Sequence, residues 1–498
     1  MDSLPLLSLL VLSLPVGAVL IWLVPRPEQA RWVALITALV DLVISALVLG
    51  RFDASEPGFQ LVEQASWIPS LNAQYLVGVD GISVLFLPLT VLLFIGVIAA
   101  SWTSVRNMPR LWFSLLLLQE SATLGVFLAL DTVLFFLFWE LALIPLYFLI
   151  SLWGIGPNRR HAATQYSLVM LAGGIPLLFG FILLAFNHAT VTGIEVPAGL
   201  AFDLPTLLAT PLPPGLELTV FLLLLVGFAV KTPLFPLHSW LPVVAAEGPA
   251  GVTALLVGLK LGAYGLIRFA IPLAPEAARE LHWLLAGLGT LGLLYGALAA
   301  LSQTNLRRML AYSSLAHVGL VVLGIASFSV QGLQGAVLQL LNFTVVAGGL
   351  FLLTGMLHHR TGSSDVTNLG GVARTLPLLA GFFLLFGLAG IGIPGTSGFP
   401  AELLILFSAF ETHTGAGLAA LFAMVLGAAY LLSSYRRAFL GPVTGVVVRE
   451  ALDLRPREVW LVAAFALVIL GIGFFPSLIL NLIAPSVEMW VGQSPTLK

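Results

Sequence analysis

Residues 228–242 read FAVKTPLFPLHSWLP. The segment opens as an apolar helix, carries Lys231, meets Pro233 and Pro236 almost at once, and then turns apolar again. Proline lacks a backbone donor and clashes with the preceding turn, so the helix breaks here. In hydrocarbon a break survives only where protein or water satisfies the freed backbone groups. A lysine at such a break is expensive, which makes this stretch a functional site by default.

That the surroundings are hydrocarbon follows from the rest of the chain. Of its 498 residues, 59% are hydrophobic and only 9% charged, where soluble domains carry about 25% charge. No soluble core absorbs that much apolar surface, so the fold class is an all-α polytopic membrane protein. Spanning runs fall near 4–24, 32–50, 82–102, 111–130, 133–153, 166–186, 217–247 (broken), 251–270, 283–301, 309–327, 333–357, 375–410 (broken), 415–435 and 459–480, which predicts about fourteen transmembrane helices. The apolar start MDSLPLLSLL lacks a positive leader and a small-residue cleavage site, so it reads as a retained first helix. Cysteine is absent, which excludes iron–sulfur clusters, thiolate metal sites and disulfides within this chain. No Walker A or Rossmann glycine pattern is present, and no basic tract points to nucleic acid.

Lysine and arginine in the loops set the expected orientation. Odd-numbered loops carry fifteen arginines, from Arg26 to Arg457; even-numbered loops carry Arg51, Arg268 and Arg279. The odd loops are therefore expected on the cytoplasmic side. A second broken segment, GLAGIGIPGTSGFPAELLIL at 387–406, answers the first. The two lie in the seventh and twelfth helices, an odd offset that reverses orientation. This predicts two inverted five-helix repeats with broken helices 7 and 12. The expected divisions are 1–110 (helices 1–3), 111–270 (first repeat, helices 4–8), 283–437 (second repeat, helices 9–13) and 438–498 (C-terminal loop and helix 14).

Five ionisable residues sit deep in these spans: Glu140, Lys231, Lys260, His317 and Glu402. Glu140 is about seven residues into its helix, or roughly 10 Å at the helical rise. Each is expected to face the bundle interior or water, because facing lipid costs about 3 kcal/mol or more. A neighbouring carboxylate favours a charged lysine while burial disfavours it, so a lysine between those pressures can take up and release protons. Histidine needs little tuning to do so. The series reads as a lateral proton relay. Blander readings stand beside it: His317 as a packing residue, Glu402 as a cap of the restarted half-helix. Asp41 reads as locally hydrogen-bonded, Glu120 stays open, and His358 and His359 read as solvated. No metal-ligand spacing is apparent.

With these residues in place, the chain resembles the antiporter-like proton-translocating subunits of respiratory complex I and its photosynthetic relatives. The resemblance rests on GVDGISVLF (78–86), FWELALIPLYFLISLWG (138–154), KTPLFPLHSWLP (231–242), LKLGAYGLIRF (259–269), QTNLRRMLAYSSLAHVGLVVLGI (303–325) and GIPGTSGF (392–399). A glutamate at position 402, where paralogues carry lysine, resembles the M-type (chain-four) subunit. The resemblance implies Glu140 paired with Lys231, Lys260 central, His317 linking onward and Glu402 at the far end. It implies partners among the other membrane subunits of an NDH-type complex, paralogous antiporter-like subunits included. Those partners, not this chain, would hold the quinone, the NAD(P)H or ferredoxin site and the iron–sulfur clusters. The membrane would be a cyanobacterial thylakoid or a bacterial inner membrane.

Departures from the family pattern are Val243 and Ala245 in place of an aspartate and a histidine, Gln165 in place of a lysine, and Phe343 in place of a histidine. Phe343 is expected to leave an apolar gap between His317 and Glu402. The departures resemble subunits of complexes specialised for carbon dioxide uptake, which adds a carbon dioxide hydrating partner to the expectations. The competing functions are a subunit of a sodium–proton antiporter complex and a docking or gating platform for such a partner.

Overall fold

The computed structural model describes residues 4–443 and 445–493. Twelve helices among them are long and apolar enough to cross a membrane, and two shorter apolar helices, Phe86–Ala100 and Pro377–Gly390, accompany them. At 1.5 Å per residue the 15-residue helix Phe86–Ala100 reaches about 22 Å, short of a ~30 Å hydrocarbon core. The lipid-facing rim is apolar, with Trp32, Ile36, Val43 and Leu47 exposed on Ala30–Arg51. Leu306–Ala326 and Val330–Thr361 are buried almost all round and form the centre.

Interruptions organise the interior. The fifth span breaks at Ala142, because Pro145 cannot donate to the Leu141 carbonyl. The seventh runs as Pro214–Lys231, stops, and resumes at Trp240–Glu247. The twelfth runs as Pro377–Gly390 and resumes at Gly398–Thr412. Both proline breaks close in the same way, by a bond reaching back five residues: Leu234 N–H to the Ala229 carbonyl at 2.9 Å and Ile393 N–H to the Leu388 carbonyl at 3.2 Å. The eighth span breaks at Lys260, between Ala250–Gly258 and Leu261–Gly265. Two spans contain π-helical turns, Leu266–Ala270 and Phe343–Ala347, a feature that marks functional positions in helices.

The loops sort into two opposite ends. At the arginine-rich end Arg110 donates to the Val24 carbonyl, Trp153 to Asn107, Asn158 N–H to Glu247, and Arg360 to Leu452. At the other end Asn72 donates to Leu200, the Glu276 N–H to Glu217, and Gly81 N–H to Ser486. Odd loops meet odd loops and even loops meet even loops, as chain crossings in alternation require.

Besides the interruptions at Ala142 and Lys260, three features are not foreseen in the sequence. The loop 51–81 folds into an antiparallel hairpin, β1 (Gln60–Ile68) and β2 (Ala73–Val79). Its Glu63 accepts from Leu7 N–H at 2.8 Å and Ser8 N–H at 2.9 Å, capping the first helix, where a carboxylate suits the positive end of the dipole. The last span stops at Phe474 rather than continuing to 480, since Pro476 starts a separate helix, Pro476–Gln493. That helix packs back on the even end: Trp490 donates to the Ile267 carbonyl at 2.8 Å. Finally, Arg268 is no loop residue. It is buried in its π-helical turn and pairs with Asp80 through two nitrogens, at 2.5 and 2.7 Å.

Candidate functional site

Glu140 is the last residue but one in the first half of the fifth span, two residues before the break at Ala142. Its two carboxylate oxygens are buried and find no protein hydrogen-bond partner. They lie against Gly174, where a Cβ would collide with Oε1. Lys231 ends the first half of the seventh span. Its Nζ donates to the Trp139 carbonyl at 2.9 Å and lies 3.9 Å from the centre of the Trp139 indole. Glu140 and Lys231 are linked through Trp139, the residue next to Glu140. They are not among the four ion pairs within 4.0 Å in the described residues. The expected direct pair is thus replaced by a cation seated on the residue just before its carboxylate. Trp139 was not singled out in the sequence, although it directly precedes Glu140 in the FWEL run.

Lys260 sits in the gap of the eighth span and is 3% exposed. Its Nζ has no hydrogen-bond partner among protein groups. The contact it has is the face of Phe343, 5.3 Å from Nζ to the ring centre, an attraction of the ammonium for the negative ring face. The freed Gly258 carbonyl just ahead of the gap is taken by the Thr344 hydroxyl at 3.1 Å. On the Lys231 side a cavity of about 20 Å³ is lined by Lys231, Tyr166, Gln119, Thr123, Leu259 and Leu261. It leads from Lys231 to the two neighbours of Lys260 and has room for a water.

His317 is clamped. Its Nδ1 meets the Ser313 carbonyl and its Nε2 the Gly390 carbonyl, both at 2.7 Å. Carbonyls only accept, so both bonds exist together only when each ring nitrogen carries a proton. Gly390 is the last residue of its half-helix, whose negative dipole end favours a cation. Glu402, 3% exposed, supplies the countercharge with Oε1 3.5 Å from Nε2. It is the fifth residue of the restarted half-helix, past the first turn, and makes no cap bond there. Gly392, with φ +67°, leaves it room: a Cβ would strike Oε2. A cavity of about 20 Å³ joins His317, Glu402 and Tyr430, and Tyr430 is bonded to Ser313 at 2.6 Å. Neither Tyr430 nor Ser313 carries a sequence signal of its own.

Phe343 is not where the sequence reading put it. His317 and Glu402 meet directly, because the twelfth-span break drops Gly390 and Glu402 onto the imidazole. The π-helical turn instead points Phe343 between Lys260 and His317, with the two rings edge-on at 6.2 Å and 87°. The apolar gap therefore falls one step earlier.

Of the residues outside this line, Asp41 is fully buried and accepts from the Ser13 hydroxyl, a local bond as expected. Glu120, also fully buried, has no protein partner. His358 is half-buried and bonded to Ser364 at 3.1 Å, contrary to the solvated reading, while His359 is exposed. His358 lines a cleft of about 530 Å³ at the arginine-rich end together with Trp112, Trp153 and Arg307. Glu247 receives Asn158 N–H at 2.8 Å and so closes the start of the sixth span. Among the described residues no cluster of three or more histidine or acidic side chains could hold a metal ion.

Fold and site together define a polytopic membrane protein with a row of buried ionisable groups across its width, each at or against a helix interruption. The chain belongs to the family described as NADH:quinone oxidoreductase/Mrp antiporter, TM, which residues 129–427 match. It is 40% identical over 486 residues to NAD(P)H-quinone oxidoreductase chain 4 1 of a Synechococcus species, covering 95% of this chain and 90% of the relative. It is 36% identical to NADH-quinone oxidoreductase subunit M of Rhodobacter capsulatus over 92% of this chain and 90% of that one. Its fold is similar to a chain of respiratory complex I from Thermus thermophilus, with a TM-score of 0.88 and 32% identity over 98% of this chain and 99% of that chain.

Proposed function

We propose that the chain is the M-type proton-translocating membrane subunit of an NAD(P)H-quinone oxidoreductase complex. The observation that carries the reading is the line Glu140, Lys231, Lys260, His317, Glu402, in which every member is at a break, beside one, packed against one, or bonded to a half-helix end. Broken backbone supplies carbonyls that hold a cation without a fixed anion, so a proton can move on without leaving a stranded ion pair. In this reading a change of charge or position at Glu140 loosens the hold on the Lys231 proton. The proton crosses the cavity beside Tyr166 to Lys260, then passes His317 to Glu402. Electron transfer, quinone reduction and the iron–sulfur centres belong to partner subunits. Identity to chain-four relatives favours this over a sodium–proton antiporter subunit. The altered positions Val243, Ala245 and Phe343 are the support for adding a carbon dioxide hydrating partner.

The test is the proton-to-electron ratio of the complex reconstituted in liposomes. Lys231→Ala and Lys260→Ala are each expected to lower it while the complex still assembles. Normal ratios in both variants overturn the proposal.

A further inference from the structure

Small cavities accompany the line of charged groups on either side of one point, and an aromatic ring stands at it. Between Lys231 and the neighbours of Lys260 lies a cavity with room for a water, and between His317 and Glu402 lies another. Between Lys260 and His317 lies the ring of Phe343, 5.3 Å from the ammonium and edge-on to the imidazole. Behind the ring, on the His317 side, is a cavity of about 30 Å³ lined by His317, Gln339, Asn342, Ser313 and Phe343 itself. Water in that cavity touches His317 but meets Phe343 before Lys260.

Three further observations tie this ring to the breaks on either side of it. It starts a π-helical turn, a feature found frequently at functional sites in helices. The next residue, Thr344, fastens to the carbonyl freed by the break ahead of Lys260, so backbone movement at one is felt at the other. Asn342, just before it, bonds to Ser397 at 2.5 Å, in the break that precedes Glu402. Phe343 is therefore mechanically tied to both broken segments while carrying no proton itself.

We propose that Phe343 is the positioning residue and barrier of the relay: its face holds the Lys260 ammonium and its edge seals the His317 cavity, so that protons pass only when the ring turns aside. This rests on the relay reading above and adds where the relay is closed at rest. A turn of the ring removes the contact that seats Lys260 and opens the cavity to it in one motion. The barrier is thus coupled to the loss of the proton it guards.

The experiment uses the whole complex in liposomes with a trapped pH indicator. Passive proton permeability without electron donor is measured first, then the proton-to-electron ratio in turnover. Phe343→Ala, which removes the ring, is expected to raise passive permeability several-fold and lower the ratio. Phe343→Leu, an apolar plug of similar size, is expected to stay as tight as the native complex. Should the alanine variant fail to assemble, Phe343→Cys removes the ring with less loss of volume and carries the same expectation of a leak. A tight membrane and a native ratio in the alanine or cysteine variant overturn the barrier. If that happens while Lys260→Ala still lowers the ratio, the relay reading stands and this inference alone fails.

Discussion

Replacing Asp80 with alanine strands a buried guanidinium. Asp80 and Arg268 are 2% and 5% exposed and share two charge-assisted hydrogen bonds. Removing one partner of a buried pair costs about 3–5 kcal/mol, because the other charge is left uncompensated. Here the lower figure applies, since the Arg268 Nε still donates to the Tyr264 hydroxyl at 3.1 Å. Asp80 also accepts from Ile82 N–H and Ser83 N–H at 3.1 and 3.0 Å, a cap-like role that adds about 1 kcal/mol. The expected loss is about 4 kcal/mol, or roughly a thousandfold in the folding equilibrium. Adding Arg268→Met removes the stranded charge and should recover about 2 kcal/mol. Equilibrium unfolding in mixed micelles measures both values and closes the double-mutant cycle. A single variant within about 1 kcal/mol of native, or a double variant no more stable than the single, defeats the reasoning.

Gly174→Ala places a methyl group where the Glu140 carboxylate lies; the carboxylate must swing away, and the proton-to-electron ratio should fall while quinone reductase turnover by the complex persists. At the even end His413 and His282 meet at 2.7 Å. Burial, and then the neighbouring His282, hold the His413 ring below its ordinary value of 6.5. The unfolded segment therefore takes up a proton first as pH falls through 6.5, and the contact loses stability on the acid side of that value. Amide exchange over residues 411–416, corrected for its intrinsic pH dependence, should quicken below 6.5, and His413→Gln should abolish the pH effect.

The broken helices were legible because proline and glycine act locally: Pro233, Pro236, Pro394 and Gly395 announce their breaks whatever surrounds them. Lys231, Lys260 and Glu402 were legible because charge in an apolar run has few innocent explanations. The fold's remaining features depend on partners distant in sequence. Arg268 looked like a loop residue until Asp80, 188 positions away, was found to bury it. The hairpin 60–79 lacks a clean alternation, as its strands cover helix ends rather than a core of their own. The place of Phe343 was misjudged because order along the chain is not order across the membrane. The tenth span meets the twelfth directly at His317 and Gly390, and the eleventh meets the eighth at Phe343 and Lys260. The Ala142 and Lys260 interruptions were missed too, the latter having no proline to signal it.

The fastening of loops at both ends has a consequence for how a neighbour could drive this chain. Arg110, Trp153, Arg307 and Arg360 staple one face, and Asn72, Glu217, Ser486 and Trp490 staple the other. Rods pinned at both tips transmit a push poorly, for any stroke must first undo the staples. What remains free is the middle, where the helices are interrupted and side chains can turn within a few ångströms. On the proposed relay, such a body would be an insulator with a conducting seam. A signal would cross it as a shifting electric field, handed from one charge to the next, without the frame travelling with it.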